Sequence, residues 1–471
     1  LQTRVEVDAA RIGATGISGG GVMTQFWAAL DERVAVAAPS CSTYTIGSQA
    51  ARDLVLHQCD CTFYPNVYRL DFPEILALIA PRPLLILGGR KDTLFPPAGF
   101  REAFRRARRI FDLYPATDSS GPRIRLVESN QGHTDPPHFL AETRQWMCRW
   151  LRGVESSEVA AAGPPPETPE TLRCLSAVPP TARNDRIHQE WFAPVGAAFP
   201  VNPAEIVGRK EQFQETLRTK YFGWFPAAGV PFNARRLATG GGRAGQFTEF
   251  GEYEIDSEAG VPVKIALLTP RNADRAAPLI VWTRGWGEPV VFPDLDEFFP
   301  VLRTHAIAIL TPRFAEPPLS GRDRARIERT AALTGRSIAA LQIRDLLRAV
   351  DWAARHGGRE PSEIMVYGRG EAAIAGLYAA MLDSSIGHVI LRDPPASHFE
   401  GPALPAILRA TDIDEVAGWL APRRLTLISR RSDGFPLAEA LYKMADSFGA
   451  FQRAASVAEA LAHRPGEHPS C

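Results

Sequence analysis

Three residue types could do nucleophilic chemistry here, and they stand in a suggestive order: Ser18, Asp92 and His133. Ser18 lies in Gly16-Ile17-Ser18-Gly19-Gly20, a G-x-S-x-G pattern. Such a turn holds a serine on a sharp strand-to-helix bend, and small neighbours let the two backbones approach. The backbone N–H of Gly19 would point at an oxyanion forming on a substrate carbonyl. Asp92 follows the apolar run Leu84-Leu85-Ile86-Leu87, where an orienting carboxylate belongs at the end of a parallel strand. His133, in Ser129-Asn130-Gln131-Gly132-His133-Thr134, follows the alternating strand pattern RIRLVE (Arg123 to Glu128) and would act as the base. His138 is its nearest competitor, at the expected start of a helix.

The elements that must carry these residues are legible in the apolar patterning. Arg11 to Ala14 reads as a strand, Val22 to Leu30 as a helix and Val34 to Ala38 as a second strand. A loop-like stretch from Cys41 to Asp71 follows, with little periodicity and the polar-aromatic run CDCTFYPNVYRLDFP; its expected place is over a substrate pocket. His57, Cys59 and Cys61 have the wrong spacing and too few donors for a zinc site, so no metal is expected. Pro73 to Ile79 reads as a helix, the basic run REAFRRARR (Arg101 to Arg109) as a solvated helix, and Phe139 to Leu151 as a closing helix. The order strand-Ser, strand-Asp, strand-His predicts an α/β unit with a mostly parallel sheet and helices on both faces.

The chain is long enough for more than one domain, at 471 residues. Its 53 basic and 53 acidic side chains balance, so no nucleic-acid or membrane surface is expected on charge grounds. No run of 18 apolar residues suggests a membrane span. The cysteines Cys41, Cys59, Cys61, Cys148, Cys174 and Cys471 are too scattered for a disulfide scaffold. Glu155 to Pro180 has linker composition.

Beyond it the pattern restarts. A helical stretch covers Pro203 to Thr219, and strands are expected near Phe247 to Ile255, Val261 to Leu268, Leu279 to Trp282 and Ala306 to Leu310. A long amphipathic helix covers Ser337 to Arg355, and Ile364-Met365-Val366-Tyr367 then runs into Gly368-Arg369-Gly370-Glu371-Ala372. Gly370 aligns with Ser18 at an offset of 352, and Ala421-Pro422-Arg423 aligns with Ala80-Pro81-Arg82 at 341, which puts Asp433 on Asp92. A glycine has no nucleophile, and His463 and His468 lie in an unpatterned tail. The expected organisation is therefore residues 1–153 as the C-terminal part of a catalytic unit, 154–245 as linker and helical connection, and 246–471 as a degenerate, inactive copy. Leu1 maps near the end of the long helix of the second unit. The first unit is thus expected to lack N-terminal strands, together with the loop giving a second oxyanion donor, and the chain is expected to be a fragment.

Residues 1 to 152 resemble the α/β-hydrolase superfamily, and within it acetyl xylan esterase-like proteins of bacteria. The resemblance is carried by GATGISGGG (Gly13 to Gly21), HQCDCTFYPNVYRLDFPE (His57 to Glu74), APRPLLIL (Ala80 to Leu87), KDTLFP (Lys91 to Pro96) and Gly132-His133. It implies ester hydrolysis through Ser18, Asp92 and His133, without metal or organic cofactor, on a small-molecule or carbohydrate ester. The residues leave the compartment open, a bacterial secreted or periplasmic setting among the alternatives. A prolyl-oligopeptidase-like peptidase on the same triad is the neighbouring alternative, although no propeller repeat is visible. A non-catalytic scaffold is the alternative from another class.

Overall fold

The computed structural model describes residues 1–58, 64, 66–114, 121–154, 167–187, 190, 202–225, 230–240, 248–271, 277–285, 297–316, 319–358, 360, 363–429 and 434–462. They form two compact units. The first comprises Leu1–Phe192 together with Ala325–Gly335, and the second Ala193–Arg324 with Arg336–Cys471.

The first unit is built on four parallel strands in sequential order: β1 (Ile12–Ile17), β2 (Val34–Ser40), β3 (Leu84–Gly89) and β4 (Ile124–Ser129). Their apolar runs explain the topology. VAVAAPS and LLILGG bury nearly every residue, as strands covered on both faces must. Helices Gly19–Leu30, Phe72–Ala77 and Pro97–Phe111 fill the crossovers, and Pro137–Met147 follows β4. Two apolar layers result. One joins Val34, Ala37, Leu84 and Ile86 to Ala103, Ala107 and Phe111, and the other joins Val36, Leu85 and Leu87 to Phe139 and Trp146. The basic run Arg101 to Arg109 does lie on a helix, and its buried side is the alanine-phenylalanine stripe rather than the arginines.

Among the described residues the second unit carries nine strands: β5 (Arg235–Gly240), β6 (Thr248–Glu258), β7 (Val261–Pro270), β8 (Leu279–Thr283), β9 (Ala306–Thr311), β10 (Ile364–Arg369), β11 (His388–Arg392), β12 (Arg424–Ile428) and β13 (Phe451–Arg453). Their spatial order is 13-12-11-10-8-9-7-6-5, antiparallel from β5 through the β7–β9 pairing and parallel elsewhere. The fold is mixed α/β with mostly parallel sheets. Sequence periodicity had not indicated β5 or β13. The first is a polar ribbon strand, RRLATG, and the second is only three residues long.

The two units repeat one another down to individual hydrogen bonds. Ser18 N–H donates to Ser40 O, and Gly370 N–H donates to Arg392 O. The Arg82 guanidinium caps Asp31 O and Val34 O at 3.0 and 2.8 Å; Arg423 caps Asp383 O and Ile386 O at 3.0 and 3.2 Å. These carbonyls lie just past the helix after the bend, where backbone acceptors lack helical partners. One Asp71 carboxylate oxygen accepts from Ile46 and Phe72 N–H, as one of Asp412 does from His398 and Ile413 N–H. The aligned offsets hold for every one of these pairs. In the second unit β10 is flanked by β11 and β8, whereas among the described residues β1 pairs with β2 alone. Asp433, His463 and His468 lie outside the described residues, as do Cys59, Cys61 and Cys471.

Candidate active site

The Ser18 backbone carries the first signature of the site. Ser18 sits between β1 and the helix Gly19–Leu30 with φ 56° and ψ −122°. A residue with a Cβ pays of order 1–3 kcal/mol to stay there. What enforces the bend is tight packing around it. A Cβ on Gly16 would stand 2.5 Å from the carbonyl carbon of Gly20. Gly370, the counterpart in the second unit, has φ 52° and ψ −130°. The same bend thus exists twice, once with a hydroxyl and once without.

The second signature is a buried acid–imidazole pair. Asp92 Oδ1 accepts from the backbone N–H of Leu94 and Phe95 at 2.8 and 2.9 Å, which fixes the carboxylate in the loop after β3. Its Oδ2 faces His133 Nδ1 at 2.9 Å, so that N–H donates to the carboxylate. The Asp92 side chain is wholly buried and the His133 ring one-quarter exposed. Phe95 stacks on that ring with centroids 5.5 Å apart. The loops after β3 and β4 are tied together along their backbones. Arg90 and Lys91 N–H donate to Ser129 O and Gln131 O, and Gly89 has room for no Cβ against Gly132 O and Gln131 O. His133 holds the paired position. The competing His138 lies in the first turn of Pro137–Met147, with its ring against Phe139.

Sequence reasoning missed three further features. Ser40 Oγ donates to Asp135 Oδ1, tying the end of β2 to the loop that carries His133. Cys41 follows with a left-handed φ of 43°, a conformation repeated at Asp393 in the second unit. It brings the buried Cys41 thiol beside Asp92 and His133, with Sγ 3.5 Å from Thr134 O. Burial, and then the Asp92 charge, push this thiol above the ordinary cysteine range. Nothing in the residue pattern from 41 to 71 signals such a backbone.

The third feature is the segment Ala325–Gly335. Its Leu333 joins an aromatic-rich cluster with Val22, Tyr44, Ile46, Val55, Phe72 and Phe95, next to the His133 ring. Asn66 fastens the segment: its backbone N–H donates to Ala332 O at 2.9 Å and its side-chain amide to Leu333 O at 2.8 Å. The same side chain closes a local turn by accepting from Leu70 N–H. Asn66→Ala therefore leaves buried backbone groups unpaired, at a cost of about 1–3 kcal/mol. Amide hydrogen exchange should quicken across 325–335 in that variant, while β3 keeps its protection. Unchanged exchange there would show that apolar contacts alone hold the segment.

No family model matches the chain. Among curated proteins, the Bacillus subtilis (strain 168) protein named "Putative hydrolase YtaP" is 30% identical over 152 residues, which is 32% of this chain and 50% of that protein. The chain thus spans about half the length of the curated relative it matches. Among solved structures, one described as "a putative acetyl xylan esterase" from Bacteroides fragilis NCTC 9343 aligns at a TM-score of 0.47 and 13% identity, covering 57% of this chain and 80% of that one. A glucuronoyl esterase from Solibacter usitatus aligns at a TM-score of 0.40 and 15% identity, covering 51% and 80%. Among the described residues no helix is long and apolar enough to cross a membrane. The chain is a mixed α/β protein whose curated relative bears a hydrolase name and whose neighbours among solved structures bear esterase names.

Proposed function

We propose that the first unit is a serine hydrolase of carboxylic esters. The observation that carries this reading is the Asp92–His133 pair, set on the ends of β3 and β4 in the same sheet whose β1 ends in the strained Ser18 bend. In this reading His133 Nε2 takes the Ser18 proton as Oγ attacks the ester carbonyl. Asp92 holds the ring through Nδ1–H and stabilises the imidazolium. The Gly19 N–H, at the start of its helix, donates to the oxyanion. His133 then returns its proton to the leaving alcohol, and water releases the acid from the acyl-enzyme by the reverse sequence. No metal or organic cofactor takes part in this scheme.

An acetylated carbohydrate is the proposed substrate class. It rests on the resemblance of residues 63–97 to acetyl xylan esterase-like proteins. The second unit, with Gly370 in the nucleophile position, is proposed to be a catalytically silent copy. Turnover of p-nitrophenyl acetate and an acetylated xylo-oligosaccharide, set beside a proline-containing peptide, tests the assignment. Acetyl ester cleavage without peptide cleavage is the expected result. Faster peptide cleavage would move the chain to the peptidases. A folded chain that cleaves neither and takes no fluorophosphonate label would be a scaffold.

A further inference from the structure

Cys41, Asp92 and His133 each present one donor atom, and these three atoms lie within 4.8 Å of one another. We propose that this cluster is an inhibitory binding site for a borderline-soft divalent cation, zinc above all. Its donors are a thiolate sulfur, a carboxylate oxygen and an imidazole nitrogen, the three side-chain ligand types zinc prefers. Bonds of about 2.0 Å to nitrogen and oxygen and about 2.3 Å to sulfur, at tetrahedral angles, place ligand atoms roughly 3.3–3.5 Å apart. His133 Nδ1 and Asp92 Oδ2 stand at 2.9 Å, so that edge of the tetrahedron is nearly formed. The sulfur lies within 4.8 Å of both, which leaves at most about 1.5 Å to close.

The site is held ready by groups that do not ligate. Leu94 and Phe95 N–H fix the other carboxylate oxygen of Asp92. The Ser40–Asp135 contact and the left-handed Cys41 backbone fix the thiol against the His133 loop. Outer contacts of this sort orient ligands and are worth 10- to 100-fold in metal affinity in metalloproteins generally. Water or a fourth donor would complete the zinc shell.

Binding has a defined proton balance. The Cys41 thiol proton leaves to solvent, and zinc replaces the proton at His133 Nδ1, which moves to Nε2. In the proposed reaction Nε2 must be the free base, so the cation silences the enzyme without touching Ser18. The consequence for activity rests on the proposed function. Binding itself does not, and the two can fail separately.

The test uses the full chain with cobalt(II) as a spectroscopic stand-in and zinc in competition with a chromophoric chelator. Wild-type protein should take up one cobalt(II) with a thiolate-to-cobalt charge-transfer band. Cys41→Ser keeps the other five cysteines, yet it should lose that band and bind zinc at least tenfold more weakly. If that variant does not fold, His133→Gln, at a quarter-exposed position, should show the same loss of zinc affinity with Cys41 in place. An unaltered band or affinity in whichever variant folds overturns the site. Zinc should block fluorophosphonate labelling of the wild type, and a chelator should restore it. Absence of labelling even in metal-free protein would refute the hydrolase reading and leave the cobalt spectrum to decide the metal site.

Discussion

Ser18→Ala is expected to remove fluorophosphonate labelling and to lower acetyl ester hydrolysis by at least about 10⁴-fold, on the scale seen when a serine nucleophile is deleted from a working triad. The fold should survive this substitution, because alanine keeps the Cβ and the bend is set by the close approach of Gly16 to the Gly20 backbone rather than by the hydroxyl. Ser18→Gly makes the sharper comparison. It is equally inactive, yet it relieves the cost of holding a Cβ at φ 56°. Part of that gain is offset by glycine's larger unfolded-state entropy, roughly 0.5–1 kcal/mol. The net expectation is that Ser18→Gly unfolds about 1 kcal/mol later than Ser18→Ala in denaturant titrations. Glycine already stands in the corresponding bend of the second unit, at Gly370 with φ 52°. Retention of labelling or of hydrolysis in Ser18→Ala would remove the nucleophile from the scheme. Equal stability of the two variants would show that the bend is unstrained.

The sequence made the parallel strands and the repeat legible for one reason: buried parallel strands are continuous apolar runs, and these recur at fixed offsets. Leu84-Leu85-Ile86-Leu87 and Leu425-Thr426-Leu427-Ile428 both follow Ala-Pro-Arg, and each arginine caps the equivalent two carbonyls of its own unit. The Asp92–His133 pairing was legible as an order of residues at strand ends, since a parallel sheet brings such ends together. What stayed hidden depends on contacts distant in sequence. Ser40 meets Asp135 across 95 residues, and Asn66 meets Leu333 across 267. Neither leaves a local pattern. Cys41 owes its place to a single left-handed backbone angle that a non-glycine residue does not advertise. The strand Arg235–Gly240 escaped because it is polar and pairs antiparallel on one side only, so no buried face marks it.

Asp92→Asn separates orientation from mere burial. The wild-type carboxylate accepts three hydrogen bonds: two from the Leu94 and Phe95 backbone on Oδ1 and one from His133 on Oδ2. An asparagine amide has one acceptor oxygen and one NH₂ donor. Its oxygen stays with the two backbone donors, because turning it round would set NH₂ against two N–H groups. The NH₂ then faces His133 Nδ1, and the ring avoids donor against donor by taking the Nε2–H tautomer. That leaves no lone pair at Nε2 to accept the Ser18 proton. By analogy with the asparagine exchange in other serine triads, kcat should fall by about 10⁴-fold. The backbone bonds of the loop persist, so the melting temperature should change little. Asp92→Ala differs in that the Leu94 and Phe95 donors lose their acceptor in a buried place, costing about 1–3 kcal/mol in addition to activity. A loss of activity in both variants with a stability loss confined to Asp92→Ala is the signature of an orienting carboxylate. If Asp92→Asn instead kept kcat within tenfold of wild type, Asp92 would be a loop cap that happens to touch a histidine, and the proposed base would lack the group that aims it.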